Sequence, residues 1–396
     1  MRKVELLAPA GDMECLKTAI KFGADAVYLG GPMMQLRSSS TGFDLEQIKE
    51  AVEFVHSAGK KIYVTVNSFA KEGEFEDIAA YGKKLKELNV DAVIVSDLGV
   101  ISCLKKEVPE LEIHVSTQAN CQNSFCANVY YQMGARRIVL AREMTLEEIK
   151  EFSKNIPEDL DVEAFVHGAM CMSFSGRCFI SSYLTNRSGN RGECTQPCRW
   201  RYHLVEQTRP NEFFPVEEGE KGTTLLSSRD MKCIDFIDQL AEAGVSSFKI
   251  EGRMKSPYYV ATVVNAYRHA IDKTADVSLL SQELDCVSHR PYSSGFYFGE
   301  LERYMPDDDM AYKQDKVFAG VVKKCENGRL TLEQRNRFCV GDVLEIVSPK
   351  SIGLSFEVKN MVNSLGETVD CAPHPQEIIT VDCPFELEEG DILRKR

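Results

Sequence analysis

Residues 61–95 read KIYVTVNSFAKEGEFEDIAAYGKKLKELNVDAVIV and contain the repeating unit of the predicted fold. Ile62–Val66 is a β-branched run typical of a buried strand, and Phe75–Leu88 has the apolar spacing of an amphipathic helix. Ala92–Val95 is a second buried run. A strand, a helix and another strand in this order predict two parallel strands joined by a crossover helix.

The same unit recurs on both sides of this stretch. The predicted strands are Val4–Leu7, Ala26–Leu29, Ile62–Val66, Ala92–Val95, Ile113–Ser116, Arg137–Leu140, Val162–Val166 and Ser247–Ile250. Eight strand–helix units closing near residue 275 fit an α/β fold of the (β/α)8, TIM-like barrel type, which needs about 250 residues. An open, doubly wound parallel sheet is the alternative.

Two segments depart from the barrel pattern. Residues 168–228, after the seventh strand, form an insertion far longer than the usual connection of about 2–6 residues. After a linker at 276–310, residues 311–396 change to short alternating strands and predict a small all-β barrel domain. The barrel domain itself is assigned to residues 1–275.

Composition and charge narrow the class of protein. Hydrophobic residues make up 43% and charged residues 27% of the chain, and no apolar run approaches the roughly 20 residues needed to cross a bilayer. We therefore expect a cytoplasmic protein without a membrane partner. The net charge of −13 disfavours general coating of nucleic acid but leaves room for a local basic patch.

Four of the 14 cysteines crowd into the insertion as Cys171-x6-Cys178-x15-Cys194-x3-Cys198. Four thiolates from one segment can bind a tetrahedral zinc ion or a four-iron cluster, and the spacing leaves both open, as well as no metal at all. Cys233 is an alternative ligand. Most of the other nine cysteines, Cys339 and Cys371 among them, are predicted to be core residues.

Arginines and aromatic residues surround these cysteines. Arginine forms bidentate contacts with phosphate, and aromatic rings stack on unpaired bases, so the insertion is a candidate RNA or substrate surface. The arginines can equally neutralise a cluster with anionic ligands. The candidates are Arg177, Arg187, Arg191, Arg199, Trp200, Arg201 and Arg253, and Arg136, Arg137 and Lys255 are expected to extend the basic rim.

Polar side chains follow or interrupt the predicted strands, whose carboxyl ends form the active-site face of such barrels. Each residue alone is more often structural, but the set predicts proton transfer and substrate binding at the barrel mouth. The catalytic candidates are His167, Glu163, His114, Arg142 and Glu251. Glu5, like Glu163, interrupts an apolar strand and is expected to point into the mouth.

Several motifs together resemble the collagenase-like peptidase family U32. They are Leu6–Gly11, Phe165–Cys171, Ser175–Cys178, Asn190–Trp200 and Phe248–Arg253. The resemblance implies an oxygen-independent hydroxylase with a [4Fe-4S] cluster, bound here by Cys171, Cys178, Cys194 and Cys198. The Arg-Trp-Arg-Tyr after the last cysteine and His289–Phe296 are most similar to the group that hydroxylates the wobble uridine of tRNA with prephenate as oxygen donor.

The resulting expectation is an iron–sulfur enzyme that converts this uridine to 5-hydroxyuridine. Its partners would be tRNA, a small-molecule oxygen donor, and a second copy or related family member in a dimer. One alternative is hydroxylation of another RNA base or of a quinone precursor. The others are a peptidase, although the chain has neither H-E-x-x-H nor G-x-S-x-G, and a non-catalytic, metal-stabilised RNA-binding module.

Overall fold

The computed structural model describes residues 4–36, 42–171, 173–200, 217–219, 222–224, 229–299 and 312–395. Eight parallel strands form a closed barrel, because the last strand pairs with both the first and the seventh. The strands are β1 Glu5–Pro9, β2 Ala26–Gly30, β3 Lys61–Val66, β4 Ala92–Val95, β5 Glu112–Val115, β6 Ala135–Val139, β7 Asp161–Ala169 and β11 Ser247–Ile250. Closure confirms the TIM-like barrel and excludes the open sheet.

Most of the helices pack an apolar face against the barrel, whereas the seventh lies in the insertion and the tenth packs on the ninth. Several begin where a side chain accepts a backbone N–H bond, as Asp12 does from Cys15 and Ser256 from Tyr259. Asp44 and Gln47 form a reciprocal capping box at the second helix. The helices are α1 Met13–Lys21, α2 Leu45–Ser57, α3 Phe75–Glu87, α4 Leu98–Glu107, α5 Ser124–Gln132, α6 Leu146–Lys154, α7 Ile180–Thr185, α8 Ile237–Glu242, α9 Pro257–Asp272 and α10 Val277–Asp285.

Two short strands extend the sheet beside the carboxyl end of β7. β10 (Asp230–Lys232) pairs antiparallel with β7, and β12 (Tyr292–Ser293) pairs parallel with β10. The guanidinium of Arg290 is 1% exposed and binds the Asp230 carboxylate at 2.7 and 2.9 Å, which ties the two strands together. Within the insertion, β8 (Glu217–Gly219) and β9 (Gly222–Thr224) form a separate hairpin.

The carboxyl-terminal domain is an antiparallel sheet with its own apolar core. Seven strands lie in the order β17-β16-β21-β13-β14-β20-β18, and β15 pairs with β19. Their bounds are β13 Val317–Glu326, β14 Arg329–Gln334, β15 Phe338–Cys339, β16 Val343–Val347, β17 Ser355–Glu357, β18 Val362–Asn363, β19 Cys371–Ala372, β20 Ile378–Asp382 and β21 Ile392–Lys395.

Three predictions need correction. Cys339 and Cys371 are not core thiols but form a disulfide between β15 and β19, because these residues face each other across the strand pair. Residues 276–299 of the predicted linker are not a plain connection, since α10 packs on α9 and β12 joins the sheet, and residues 300–310 lie outside the described residues. Arg137 does not belong to the rim: it is 5% exposed and points into the barrel.

No helix in the described part of the chain is long and apolar enough to cross a membrane.

Candidate active site at the barrel mouth

A pocket of about 90 Å³ opens at the carboxyl ends of the barrel strands. Alternate residues of a strand face the same side. Tyr63 of β3 points into the barrel, and Thr65 and Asn67, two and four positions further on, both line this pocket. Ser116 and Gln118 contribute from the end of β5, and Tyr28 from β2. The mouth is therefore lined by hydrogen-bonding side chains at the place where TIM-like barrels bind substrates.

Three cations and one carboxylate line this mouth pocket: Arg142, Lys249, Arg253 and Glu251. Arg142 donates from Nη1 to the Ala169 carbonyl at 2.5 Å and stacks 3.7 Å from the Phe165 ring centroid. Arg253 is held by Thr65 Oγ1 at 3.0 Å and Gln35 Oε1 at 2.8 Å. An excess of fixed positive charge favours an anionic ligand.

Beneath the mouth pocket, a network of charged groups fills the barrel. Glu163 is fully buried and accepts from Lys249 Nζ at 2.6 Å and Arg137 Nη1 at 3.0 Å. Arg137 also binds Glu5 at 2.6 Å. Despite burial, the positive charges of Lys249 and Arg137 lower the pKa of Glu163 to about 2, so its carboxylate stays ionised.

Glu5, Glu163 and His114 therefore do not lie where the sequence analysis expected them. Glu5 is the first residue of β1 and lies at the amino end of the barrel, and neither Glu163 nor His114 lines the mouth pocket. His114 Nε2 lies 2.9 Å from Glu112 Oε1 and its ring meets Tyr63 edge-on. Burial lowers the pKa of His114, so its imidazole is neutral.

His167 lies outside the mouth pocket as well. The strand register shifts between Lys249 and Ile250, and His167 packs among Tyr259, Tyr267 and Tyr292 with ring centroids 5.5–6.0 Å apart. Burial and the nearby charges of His289, Lys232 and Lys255 lower its pKa to about 3. A neutral, enclosed imidazole is placed to support β7 rather than to touch a ligand.

A second pocket, of about 200 Å³, lies against the mouth pocket and is lined by Cys171, Cys178, Cys194 and Cys198. None of these four cysteines forms a disulfide in the described part of the chain. Leu36, Thr117, Gln118, Arg142 and Glu251 line both pockets, so the two spaces are contiguous. We call the second one the cysteine pocket.

The donor set of the cysteine pocket fits a thiolate-bound metal centre, although in the described residues no group of three or more Cys, His, Asp or Glu stands in ligating geometry. Cys233 does not line the cysteine pocket. It is 0% exposed in the apolar core and its backbone N–H binds the Val166 carbonyl at 3.0 Å. Of these two candidates for the fourth ligand, only Cys198 lines the cysteine pocket.

The four cysteines lie in residues 171–200, which we call the cysteine segment. Three contacts fix this segment to loops of the barrel mouth. Ser175 binds Glu143 through its backbone N–H at 2.7 Å. Gly176 packs so closely that a Cβ would stand 1.9 Å from the Gln118 carbonyl oxygen. Arg191 forms a bidentate pair with Glu74 at 2.7 and 3.2 Å.

The outer face of this segment carries the remaining predicted residues. Arg177 and Arg187 are exposed. Three aromatic side chains are also exposed: Phe179 at 69%, Tyr183 at 78% and Trp200 at 42%. The Arg199 side chain and Arg201 lie outside the described residues.

Sequence reasoning gave no site role to Tyr28, Thr65 or Ser116. Their signal was alternation: Thr65 and Ser116 stand two residues beyond Tyr63 and His114 along the inward-facing side of their strands. Reading interior positions strand by strand would have selected them.

Two family models match this chain, one over the barrel and one over the carboxyl-terminal domain. Residues 11–305 match the model of peptidase family U32, and residues 314–394 match that of the peptidase family U32 C-terminal domain. The chain belongs to peptidase family U32.

Individual relatives cover the whole chain. It is 37% identical to the tRNA hydroxylation protein P1 of Bacillus subtilis, over 100% of this chain and 95% of that protein. It is 35% identical to the tRNA hydroxylation protein P of Escherichia coli, over 100% of this chain and 97% of that protein. Among solved structures, the U32 peptidase Mk0906 is similar with a TM-score of 0.42 and 13% identity, over 64% of this chain and 94% of that one.

Proposed function

We propose that this U32 protein hydroxylates RNA, and specifically the wobble uridine of tRNA to 5-hydroxyuridine. The relatives named for tRNA hydroxylation support this proposal, since they match from end to end. The observation that carries it is the contiguity of two pockets: one lined by four cysteines and one lined by three cations.

The proposed cofactor is a [4Fe-4S] cluster held by Cys171, Cys178, Cys194 and Cys198. Such a cluster supplies one-electron redox chemistry when it is bound. The thiols surround one space, and the barrel contacts of Ser175, Gly176 and Arg191 hold the segment that carries them. Cys233 does not line the cysteine pocket, so it is left out of the proposed ligand set.

The proposed oxygen donor is prephenate, bound in the mouth pocket. Prephenate is a dicarboxylate, and guanidinium groups bind carboxylates in bidentate geometry. Arg142 follows β6 and Arg253 follows β11; both line the pocket and are oriented by hydrogen bonds, so they are the proposed carboxylate ligands. Glu251, which lines both pockets, is the proposed proton acceptor.

The proposed tRNA contact is the outer face of the cysteine segment. Arg177 and Arg187 would bind phosphates, and the exposed rings of Phe179, Tyr183 and Trp200 offer stacking faces to unpaired bases. An anticodon loop presents such bases. Chain neighbours of these residues, Gly176, Cys178 and Ile180, line the cysteine pocket, so a loop bound to this segment would bring a base toward the two pockets.

Nucleoside analysis of tRNA tests the proposal. A strain that lacks this protein should lose 5-hydroxyuridine and its derivatives, wild-type protein should restore them, and Cys194→Ser should not. Cys103→Ser, a free cysteine on α4, is the matched control and should restore the modification. Unchanged 5-hydroxyuridine derivatives in the deletion strain would refute the proposal, and loss of a different nucleoside would redirect it to another base.

The family description favours peptidase activity as the second candidate. A gelatin zymogram distinguishes it: a peptidase would clear gelatin without tRNA and irrespective of iron.

A further inference from the structure

Lys249 is a charged residue of the mouth pocket to which the proposed function gives no role. It is the third residue of β11, the strand that closes the barrel, and its side chain points inward. It is 4% exposed and yet lines the mouth pocket. Its Nζ lies 2.6 Å from Glu163 Oε1 and 4.4 Å from the Tyr28 ring centroid.

We propose that Lys249 is a carbonyl-reactive amine, and that the mouth pocket takes a 2-oxo acid as a protonated imine on Lys249 Nζ. The inference goes beyond the proposed hydroxylation and does not need a metal centre. It assigns a covalent binding mode to a pocket whose other polar residues suit the carboxylate of the same ligand.

The surroundings of Lys249 favour this chemistry. A lysine in a desolvated pocket is the usual amine for Schiff-base formation, because burial disfavours its charged form. Burial lowers the pKa of Lys249, while Glu163 opposes the shift. A larger share of neutral, nucleophilic amine follows than on an exposed lysine.

Charge balance in the barrel is preserved by the reaction. The Lys249 ammonium gives up two hydrogens and the ketone gives up its oxygen, and these leave together as one water. A C=N bond replaces the C=O bond, and the nitrogen keeps its positive charge. The iminium therefore still faces Glu163 at the position where the ammonium did. No oxidant or reductant is required.

The remaining groups of the mouth pocket select the acid. Arg142 and Arg253 present guanidinium groups to the same space, and Asn67 and Ser116 present neutral hydrogen-bonding groups. A 2-oxo acid can react with the Lys249 amine through its carbonyl carbon and bind a guanidinium through its carboxylate. An aldehyde without a carboxylate could react with the amine only.

Borohydride trapping with pyruvate, the smallest 2-oxo acid ketone, tests the inference on the full-length protein. We expect one adduct per chain, with the mass of one pyruvate less one oxygen atom, and peptide mapping should place it on Lys249. Acetone, which lacks the carboxylate, should give at least tenfold less adduct under the same conditions.

Two variants complete the test. Lys249→Arg keeps a cation beside Glu163 and should abolish the adduct. Lys60→Arg is the control and should keep it, because Lys60 pairs with Asp25 at 3.1 Å and lines neither pocket. An adduct that maps elsewhere in the wild-type protein, or no adduct at all, overturns the inference without touching the tRNA assay; mapping on wild-type protein remains decisive if Lys249→Arg fails to fold.

Discussion

Individual charged residues inside the barrel stand where such barrels usually carry aliphatic side chains. Lys249, Glu163 and Arg137 are each at most 5% exposed and each has a partner of opposite charge. Removing one member of a buried pair costs about 3–5 kcal/mol, because the other charge is left unpaired. Glu163 is therefore a supporting residue for Lys249 rather than a group that meets the ligand.

At the same scale, the burial of His167 predicts how the stability of the protein depends on pH. Its pKa is lowered from 6.5 to about 3 in the folded protein, so between these values the unfolded state binds the extra proton. Stability from this group is present above pH 6.5 and is lost as pH falls, at about 1.4 kcal/mol per pH unit, or about 2 kcal/mol by pH 5.

Urea unfolding at pH 7 and pH 5 measures this effect. His167→Gln should be less stable at pH 7 yet lose about 2 kcal/mol less than the wild type between the two pH values. Gln132→Asn, at an exposed position at the end of α5, changes no titratable group; it is the control and should retain the wild-type pH dependence. Identical losses in wild type and His167→Gln would show that His167 is not held neutral.

Among the elements, the cysteine segment depends on close docking to the loops that follow β3, β5 and β6. Gly176 has φ +72°, a left-handed conformation that favours glycine, and has no room for a Cβ beside Gln118. We expect Gly176→Ala to displace the segment, lower tRNA hydroxylation at least tenfold and leave the unfolding of the barrel nearly unchanged.

Gly73→Ala is the matched control for this prediction, since a Cβ at Gly73 meets nothing within 4 Å. It should keep wild-type hydroxylation, measured as 5-hydroxyuridine per tRNA. Full activity of Gly176→Ala would mean that the segment does not need this docked position.

The strands were predictable to different degrees. β3, β4 and β11 lie within one or two residues of their predicted bounds, because a buried parallel strand is a local apolar run. β7 extends to Ala169 instead of ending at Val166, since it gains β10 as a partner from 60 residues further on, which no local pattern reveals.

The site shows the same division. Arg142, Glu251 and the four cysteines were selected by motif position and strand ends, and they line the two pockets. Their roles stay predictions. The positions of His167, Glu163 and Glu5 were not, because a polar residue in a strand faces the mouth, the barrel interior or the helices according to register. The sequence shows which residues of a strand share a face. Only the closed sheet shows which face points into the barrel and how far each residue lies from the mouth.

At the scale of the whole molecule, a chain with net charge −13 is proposed to bind an RNA. Binding must then depend on local cations, and affinity for tRNA should fall steeply with salt as phosphate contacts release counterions. Arg177→Gln and Arg187→Gln should each weaken binding and reduce the slope of log Kd against log salt by roughly 0.7–0.9. Fluorescence anisotropy with labelled tRNA over a salt series measures both.

Lys150→Gln is the control, because Lys150 is an exposed lysine on α6. Its salt slope should match the wild type. Equal slopes in all the variants would place the tRNA elsewhere on the protein.

The central claim is that Cys171, Cys178, Cys194 and Cys198 together hold an iron–sulfur cluster beside the mouth pocket. The most direct measurement is iron and acid-labile sulfide per chain, with an absorbance spectrum, on protein purified without oxygen. The account predicts about four of each per chain for the wild type and for Cys233→Ser, and a loss of both in Cys198→Ser. Colourless wild-type protein free of iron, or a cluster retained in Cys198→Ser and lost in Cys233→Ser, would contradict it.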